Sequence, residues 1–489
     1  MALKPLMIAG TASNVGKSIL ATAFCRILKQ DGFTPAPFKA QNMSLNSYAT
    51  PEGLEIGRAQ AAQAEAAGVP CHTDMNPVLL KPSSHTASQV ILHGKPAGSQ
   101  TAYEYFKKEG KLKLFEEVKA SYDRLAAKYN PIVIEGAGSI AELNLKDRDI
   151  VNMRMALHAD ASVLLVADID RGGVFASLYG SVKLLPENER RLIKGIIVNK
   201  FRGDRRLFDE GVNILENITE VPVLGVIPYM TGIDIDEEDS VSLEEKNTRP
   251  AAGKINVAVI RLPRLSNHTD FRILENIPEV NVYYTFAPQA IAQADIIIIP
   301  GSKNTLEDLQ ALYDVGIASV LREARGQGKT IIGVCGGYQM LGQDVNDPHG
   351  VESSHKTMAG LGLLPVSTTL ETIKQTVQKN FYHGTNRREL CHGYEIHMGV
   401  TTPVSQMTSV NFFEDGTPEG CYRDEQCWGT YIHGIFDNIA VLRQLFRKYD
   451  VTLPTQSYRD YKEQQYDAVA SFVRDAVNMD KLYTFLQPA

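Results

Sequence analysis

Cysteine is scarce: the 489-residue chain has six, Cys25, Cys71, Cys335, Cys391, Cys421 and Cys427, and no two stand in a CxxC spacing. A disulfide framework is thereby excluded, and this usage points to a reducing cytoplasm. Long apolar runs are also missing. Stretches such as Val163–Ala167 and Ile296–Pro300 fall far short of the roughly 18 residues that would span a bilayer, so no membrane partner is expected. Neither charge sign dominates: 50 basic and 57 acidic residues give −7. Asp234, Asp236, Glu237, Glu238, Asp239, Glu244 and Glu245 fall in one short stretch. The remainder is balanced, without the basic footprint that nucleic acid requires. The opening MALKPLMIAG lacks a charged leader segment followed by a long apolar one, and reads as a first strand rather than a signal peptide.

What is present is ordinary globular composition, 44% hydrophobic and 22% charged, in a chain long enough for about two large or three smaller domains. Short apolar runs at Leu6–Ala9, Ile132–Ile134, Val163–Ala167, Ile196–Val198 and Val223–Ile227 alternate with amphipathic stretches. That rhythm predicts buried parallel strands in an α/β sheet. Ile19, Leu20, Ala23, Phe24, Ile27 and Leu28 recur at helical spacing, and an alanine-rich helix is expected over Glu55–Ala67, ended by Gly68 and Pro70. A second α/β series begins at Ile255 and continues through Ile296–Ile299, a helix opened by Thr305 with Asp308 at capping-box spacing, and Thr330–Val334. The expected organisation is two doubly wound α/β domains: residues 1–230, an acidic linker at 231–252, and residues 253–489, whose last part from Val441 forms amphipathic helices. Nothing in the sequence specifies an oligomeric state.

Gly10-Thr11-Ala-Ser-Asn14-Val15-Gly16-Lys17-Ser18 lies between a predicted strand and a predicted helix, where backbone N–H groups and a helix N-terminus cradle phosphates. Lys17 would reach the β- and γ-phosphates and Ser18 would hold Mg²⁺. The first glycine stands one position earlier than in GxxxxGK[ST], with Thr11 in its usual slot. Ala12 occupies the place of the signature lysine of partition-type ATPases, which disfavours that class of switch. Glu135, ending the strand Ile132-Val-Ile, is the expected second Mg²⁺ ligand. Asn199-Lys200 ends a later strand, either as a contact to the nucleotide base or as a plain turn. Asp168, Asp170 and Arg171, followed by two glycines, lie at the ligand-binding face of the sheet and suggest contact with substrate or phosphate.

In the second half, Gly333-Val-Cys335-Gly336-Gly337 between a strand and a helix has the form of a nucleophile elbow with cysteine in place of serine. The helix N-terminus favours the thiolate, and the Gly336 N–H, with a second donor at Gly301, would form an oxyanion hole. The base expected for Cys335 is His433, at the end of the β-type run Trp428-Gly-Thr-Tyr-Ile. Cys391, His392 and His397 lack zinc spacing and are expected in a loop near the cysteine site.

One half that phosphorylates with ATP and one that releases ammonia from glutamine together describe a glutamine-dependent amidoligase. GTASNVGKS, FKAQNMSLNSY, EIGRAQAAQA, MNPVLLKP, DIDRGGVFAS, VNKFRGD, IPGSKNT, GVCGGYQMLG, GYEIHMG and GTYIHGIFDN, spread from Leu6 to Asn438, resemble the cobyric acid synthase family of cobalamin biosynthesis. The resemblance implies a dethiobiotin-synthetase-like P-loop domain followed by a class I glutamine amidotransferase domain. It implies ATP, Mg²⁺ and L-glutamine, and a corrinoid substrate, adenosylcobyrinic acid a,c-diamide, amidated at its b, d, e and g carboxylates. It also implies a phosphate-steadying role for Lys39, substrate contact for Asn42, and a protected route for ammonia between the sites. Many class I amidotransferases carry glutamate two residues after the histidine, whereas this chain has Ile435. The orienting third member is therefore expected to be absent or displaced, with glutamine hydrolysis dependent on loading of the other site. Two alternatives stay open: the same chemistry on another carboxylate, as in cobyrinic acid a,c-diamide synthase or a cell-wall amidase, and a nucleotide-dependent regulatory protein.

Overall fold

The computed structural model describes residues 2–82, 87–101, 108–235, 246–353, 355–384 and 388–488. In the first half, six parallel strands run in the order Val223–Pro228, Ile193–Phe201, Ser162–Asp168, Leu6–Gly10, Ile132–Glu135, Ala36–Phe38. The central strand Leu6–Gly10 is buried along its whole length, which explains its unbroken apolar pattern. Its register sets Ile8 beside both Leu164 and Glu135. The loop after it and the carboxylate of Glu135 therefore open on the same sheet edge.

The second half repeats the plan: Val280–Thr285, Ile255–Ile260, Ile296–Ile299, Thr330–Val334 and Cys427–Thr430 are parallel, and Cys421–Asp424 closes the edge antiparallel. A long hairpin, Val366–His383 against Leu390–Pro403, belongs to a separate sheet with Asp344–Asn346, Thr357–Ala359, Asn411–Phe413 and Pro418–Glu419. In the first half Gln41–Met43, Val78–Pro82, Ala87–Leu92 and Lys95–Thr101 form a smaller sheet. Gln378 of the hairpin donates to the Ala49 carbonyl at 2.8 Å, and Lys374 is ion-paired with Glu55.

Four local expectations differ from the structure. Glu55–Gly57 is a strand paired with Ser47–Ala49, so the alanine-rich helix starts at Arg58; pairing with a neighbour overrides helix propensity there. The helix at Thr305 is capped by Asn304, whose side chain accepts from Glu307 N, because Asp308 is engaged by Ser302 and Arg264. Cys391, His392 and His397 lie on the strand Leu390–Pro403 rather than a loop.

The fourth concerns the C-terminal helices, expected in the second half. Tyr458–Ala476 packs on Lys17–Gln30, and Tyr466, Val469, Ala470, Val473 and Val477 share a core with Leu20, Phe24 and Ile27. Their i, i+3, i+4, i+7 spacing makes one apolar stripe that fits the outer face of that helix. Arg26 secures the pairing with hydrogen bonds of 2.7 Å to both Glu463 and Asp467. Of the acidic linker, residues 236–245 lie outside the described residues; Asp234 before them is ion-paired with Arg272.

Candidate active sites

The P-loop site is built on the turn from Leu6–Gly10 into the helix Lys17–Gln30. Gly16 has φ 98°, and a Cβ there would lie 2.2 Å from Asn199 Nδ2, so both conformation and space require glycine. Asn199 donates to the Val15 carbonyl at 2.8 Å, and Lys200 to the Asn14 carbonyl at 2.7 Å. The pair thus braces the phosphate loop from the neighbouring strand. Thr11 N is fixed by the Val166 carbonyl at 3.0 Å. Lys17 folds back to donate to Ala12 O of its own loop at 2.8 Å and to Gly138 O, in the loop after Ile132–Glu135, at 3.1 Å.

Glu135 gathers the site. Ser18 Oγ donates to it at 2.6 Å, Lys39 Nζ at 2.9 Å and Gln63 Nε2 at 2.6 Å, with Gln60 at 3.4 Å. Burial opposes its charge, yet Lys39 and then the Ser18 and Gln63 hydrogen bonds hold its pKa below the ordinary carboxylate value. Asn42 is also buried and donates to Gln60 Oε1 at 2.8 Å. Asp168 lies 3.1 Å from Lys200 and 3.8 Å from Arg171, and Asp170 binds Arg202 at 2.8 Å. These three predicted substrate residues are thus joined in ion pairs beside the strand end that carries Asn199 and Lys200.

The cysteine site is built on the turn from Thr330–Val334 into the helix Gly336–Leu341. Cys335 has φ 53° and ψ −111°, a strained backbone that a side chain adopts where tertiary structure enforces it. The enforcement is visible: Cys335 N donates to Thr430 O at 2.8 Å, and a Cβ at Gly337 would lie 1.9 Å from the Ile299 carbonyl oxygen. The thiol points at the Ile396 carbonyl, 3.6 Å away. Gly301 approaches His433, since a Cβ there would come within 3.3 Å of the imidazole Cε1. Gly336 packs on Ser302 N in the same way.

His433 is buried and shares a 2.6 Å hydrogen bond from Nδ1 to Asp270 Oδ2. The other Asp270 oxygen accepts from Gly434 N at 3.1 Å. Burial works to lower the His433 pKa, but Asp270 and then Cys335 override it and push it up to about 10. With Nδ1 engaged by Asp270, Nε2 is the nitrogen left for Cys335. Asp270, 163 residues before the histidine, was not anticipated: no local spacing marks it. It sits in a tight His268–Phe271 turn that follows Asn267 in left-handed conformation. Asn267 accepts from Ser47 N at 3.0 Å, and His268 N donates to Asn46 at 3.1 Å. The turn that carries Asp270 is therefore clamped to the first half of the chain. His397 stacks on Tyr431 with ring centroids 3.8 Å apart. Among the described residues no group of three or more His, Cys, Asp or Glu residues is placed to hold a metal ion.

A cavity of about 40 Å³ joins the halves: Cys335, Gly336 and His433 line it together with Ser47, Lys81 and Gln89. Lys81 donates to Glu55 at 2.7 Å and to Ser47 at 2.9 Å. Sequence reasoning passed over Lys81, Gln89, Gln60 and Gln63, although the i, i+3 pair Gln60 and Gln63 does mark one face of a helix.

A sheet-edge P-loop joined to a cysteine elbow with its histidine defines a glutamine-dependent, amide-forming ligase. The family described as a CobQ/CobB/MinD/ParA nucleotide binding domain matches residues 6–243, and the CobB/CobQ-like glutamine amidotransferase domain matches residues 256–441. The chain is 56% identical to the cobyric acid synthase of Phocaeicola vulgatus, covering 99% of this chain and 98% of that one. It is 56% identical to that of Bacteroides fragilis and 53% identical to that of Parabacteroides distasonis, each over 99% of this chain and at least 98% of the other. The chain belongs to the cobyric acid synthase family, whose work is cobalamin biosynthesis. Among the described residues no helix is long and apolar enough to cross a membrane.

Proposed function

We propose that this enzyme amidates the b, d, e and g carboxylates of adenosylcobyrinic acid a,c-diamide, using ATP, Mg²⁺ and glutamine. The observation that carries the coupled reading is the cavity in which Cys335 and His433 of one half meet Ser47, Lys81 and Gln89 of the other. The names of the 53–56% identical relatives support the corrinoid.

In the second half, the Cys335 thiolate attacks the glutamine amide carbon, and the N–H groups of Gly301 and Gly336 receive the oxyanion. His433, charged because Asp270 faces it, gives its proton to departing ammonia, then takes one from the water that splits the thioester to glutamate. In the first half, a corrinoid carboxylate attacks the γ-phosphorus of ATP, ADP departs, and an acyl phosphate forms. Lys17 leaves its loop carbonyls for the phosphates, and Lys39 steadies the group in transfer. Ammonia then attacks the acyl carbon and expels phosphate. Asn199 and Lys200 hold the loop under the nucleotide, and Asp168, Asp170, Arg171 and Asn42 shape the surrounding substrate surface.

The donors fit a hard cation. Ser18 Oγ and Glu135 are 2.6 Å apart, and Glu135 is held ionised, so these two oxygens would hold Mg²⁺, which screens phosphate charge when bound. The domain plan proposed is a P-loop domain ending near residue 230, a linker to 252, and an amidotransferase domain from 253, with the last helices returning to the first core.

The test is mass spectrometry of corrinoid a,c-diamide incubated with protein, glutamine and Mg-ATP. Four new amides are expected, lost in Cys335→Ser with glutamine and recovered with free ammonia. An unchanged corrinoid despite ATP hydrolysis and glutamate release would discard the substrate.

A further inference from the structure

Glutamine carries an α-carboxylate and an α-ammonium besides its amide, and a site that hydrolyses this amide in preference to others has to read them. Three lysines reach the Cys335 cavity: Lys81, Lys303 and Lys374. Two are already committed, since Lys81 and Lys374 both pair with the buried carboxylate of Glu55. Lys303 differs: its electrostatic neighbours are Glu352, Lys81 and Glu55, and among the described residues none is hydrogen-bonded to its ammonium. Glu352 lines the same cavity. The two opposite charges therefore face one chamber as neighbours without closing an ion pair.

Both are presented on rigid supports. Lys303 N donates to Arg264 O at 3.0 Å, just after the two-residue strand that pairs Gly301 with Ser266. Glu352 is held by the buried Asp347, whose carboxylate accepts from the N–H groups of Val351, Glu352 and Ser353 at 2.7, 2.9 and 3.0 Å. The supports are also tied to each other. Thr305 N donates to Glu352 Oε2 at 2.9 Å, and Asn304 Nδ2 to the Glu352 carbonyl at 2.8 Å. An ammonium and a carboxylate fixed apart beside a nucleophile form a preorganised receptor for a ligand bearing both opposite charges.

We propose that Lys303 binds the α-carboxylate of glutamine and Glu352 its α-ammonium, and that this pair selects the free amino acid as nitrogen donor. The assignment rests on the glutaminase reading above. Burial disfavours the charged form of each group, drawing Lys303 below and Glu352 above its ordinary pKa, and each partly offsets the other. An incoming zwitterion supplies both missing counter-charges.

Ammonia release is measured from glutamine, from 4-aminobutanamide, which lacks the α-carboxylate, and from 5-amino-5-oxopentanoate, which lacks the α-amine. The wild-type kcat/KM is expected to fall roughly 10- to 150-fold for each analogue, the range set by one charged hydrogen bond. Lys303→Met is expected to raise KM for glutamine by a similar factor, with a much smaller change in kcat. It is also expected to lose discrimination against the carboxylate-free amide alone, and Glu352→Gln against the amine-free amide alone. Lys303→Arg, which keeps the charge, is expected to restore discrimination. A KM for glutamine unchanged in Lys303→Met, or loss of both discriminations together in either variant, overturns the assignment. A wild-type protein that releases no ammonia from glutamine overturns the glutaminase reading, and the assignment with it.

Discussion

Lys17, Lys39 and Lys200 in the P-loop half each rest on a protein oxygen, at Ala12, Glu135 and Asn14, whereas Lys303 in the cysteine half faces its cavity with no bonded partner among the described residues. Lys17 rests on Ala12 and Gly138, bonds that phosphates displace under the proposed function. The cysteine half already holds its thiol on a strained turn, with the imidazole oriented by Asp270. Under the proposed function the first is an arrangement that a ligand rearranges, and the second one that a ligand completes. The contact between them joins Asn46 and Ser47 to Asn267 and His268, in the turn that leads to Asp270.

The sharpest break between the halves is expected from Cys335→Ser. Glutamine-dependent amidation should fall by roughly four orders of magnitude or more, while amidation supplied with free ammonia continues; loss of both would mean that the halves do not act separately. Lys17→Gln should do the converse, lowering turnover with either nitrogen source by roughly 10²- to 10³-fold, and a variant impaired with glutamine alone would contradict the assignment of that lysine.

Asp270→Asn comes next. Glutamate release should drop by roughly 10²- to 10⁴-fold. The sign of its pH effect follows from the carboxylate that helps push His433 up to about 10: without it the imidazolium loses its proton at lower pH, so the alkaline limb of the glutaminase profile should move downward. The same raised pKa contributes stability that is fully present below the unfolded histidine value and is lost as pH rises through about 10.

Smaller effects fall on the joint between the halves. Glu55→Gln leaves Lys81 and Lys374 facing each other and should destabilise the chain by about 3–5 kcal/mol in denaturant unfolding. Those lysines hold the Glu55 carboxyl far below its ordinary pKa, against the effect of burial. Its contribution is therefore present above the unfolded carboxylate pKa and lost as pH falls through the depressed folded value. Arg26→Ala, which removes partly exposed pairs to Glu463 and Asp467, should cost only about 1 kcal/mol; a larger loss would mean that the C-terminal helix holds the P-loop helix in place.

Local pattern made particular elements legible. Leu6–Gly10 and Ile296–Ile299 are buried strands because an apolar run at a sheet centre has no solvent face to mark with polar residues. Gly16-Lys17-Ser18 and Gly-x-Cys335-x-Gly could be read because each lies within one turn between a strand and a helix. Asp270 and His433 could not be paired in this way, since 163 residues separate them and neither carries a mark of the other. Glu55–Gly57 was hidden by alanine-rich sequence whose helix propensity is real but yields to strand pairing, and Glu352 stands next to no motif at all.

The sequence by itself determined two α/β sheets, the two strand-to-helix turns and the residues on them, because steric and hydrogen-bond requirements within a few residues dictate those choices. Only the tertiary structure decided which carboxylate orients His433, which lysine beside Cys335 has no bonded partner among the described residues, that the last helices return to the first core, and that Ser47, Lys81 and Gln89 help enclose the second site. Contacts between residues distant along the chain depend on how whole elements pack, and no local spacing encodes that packing.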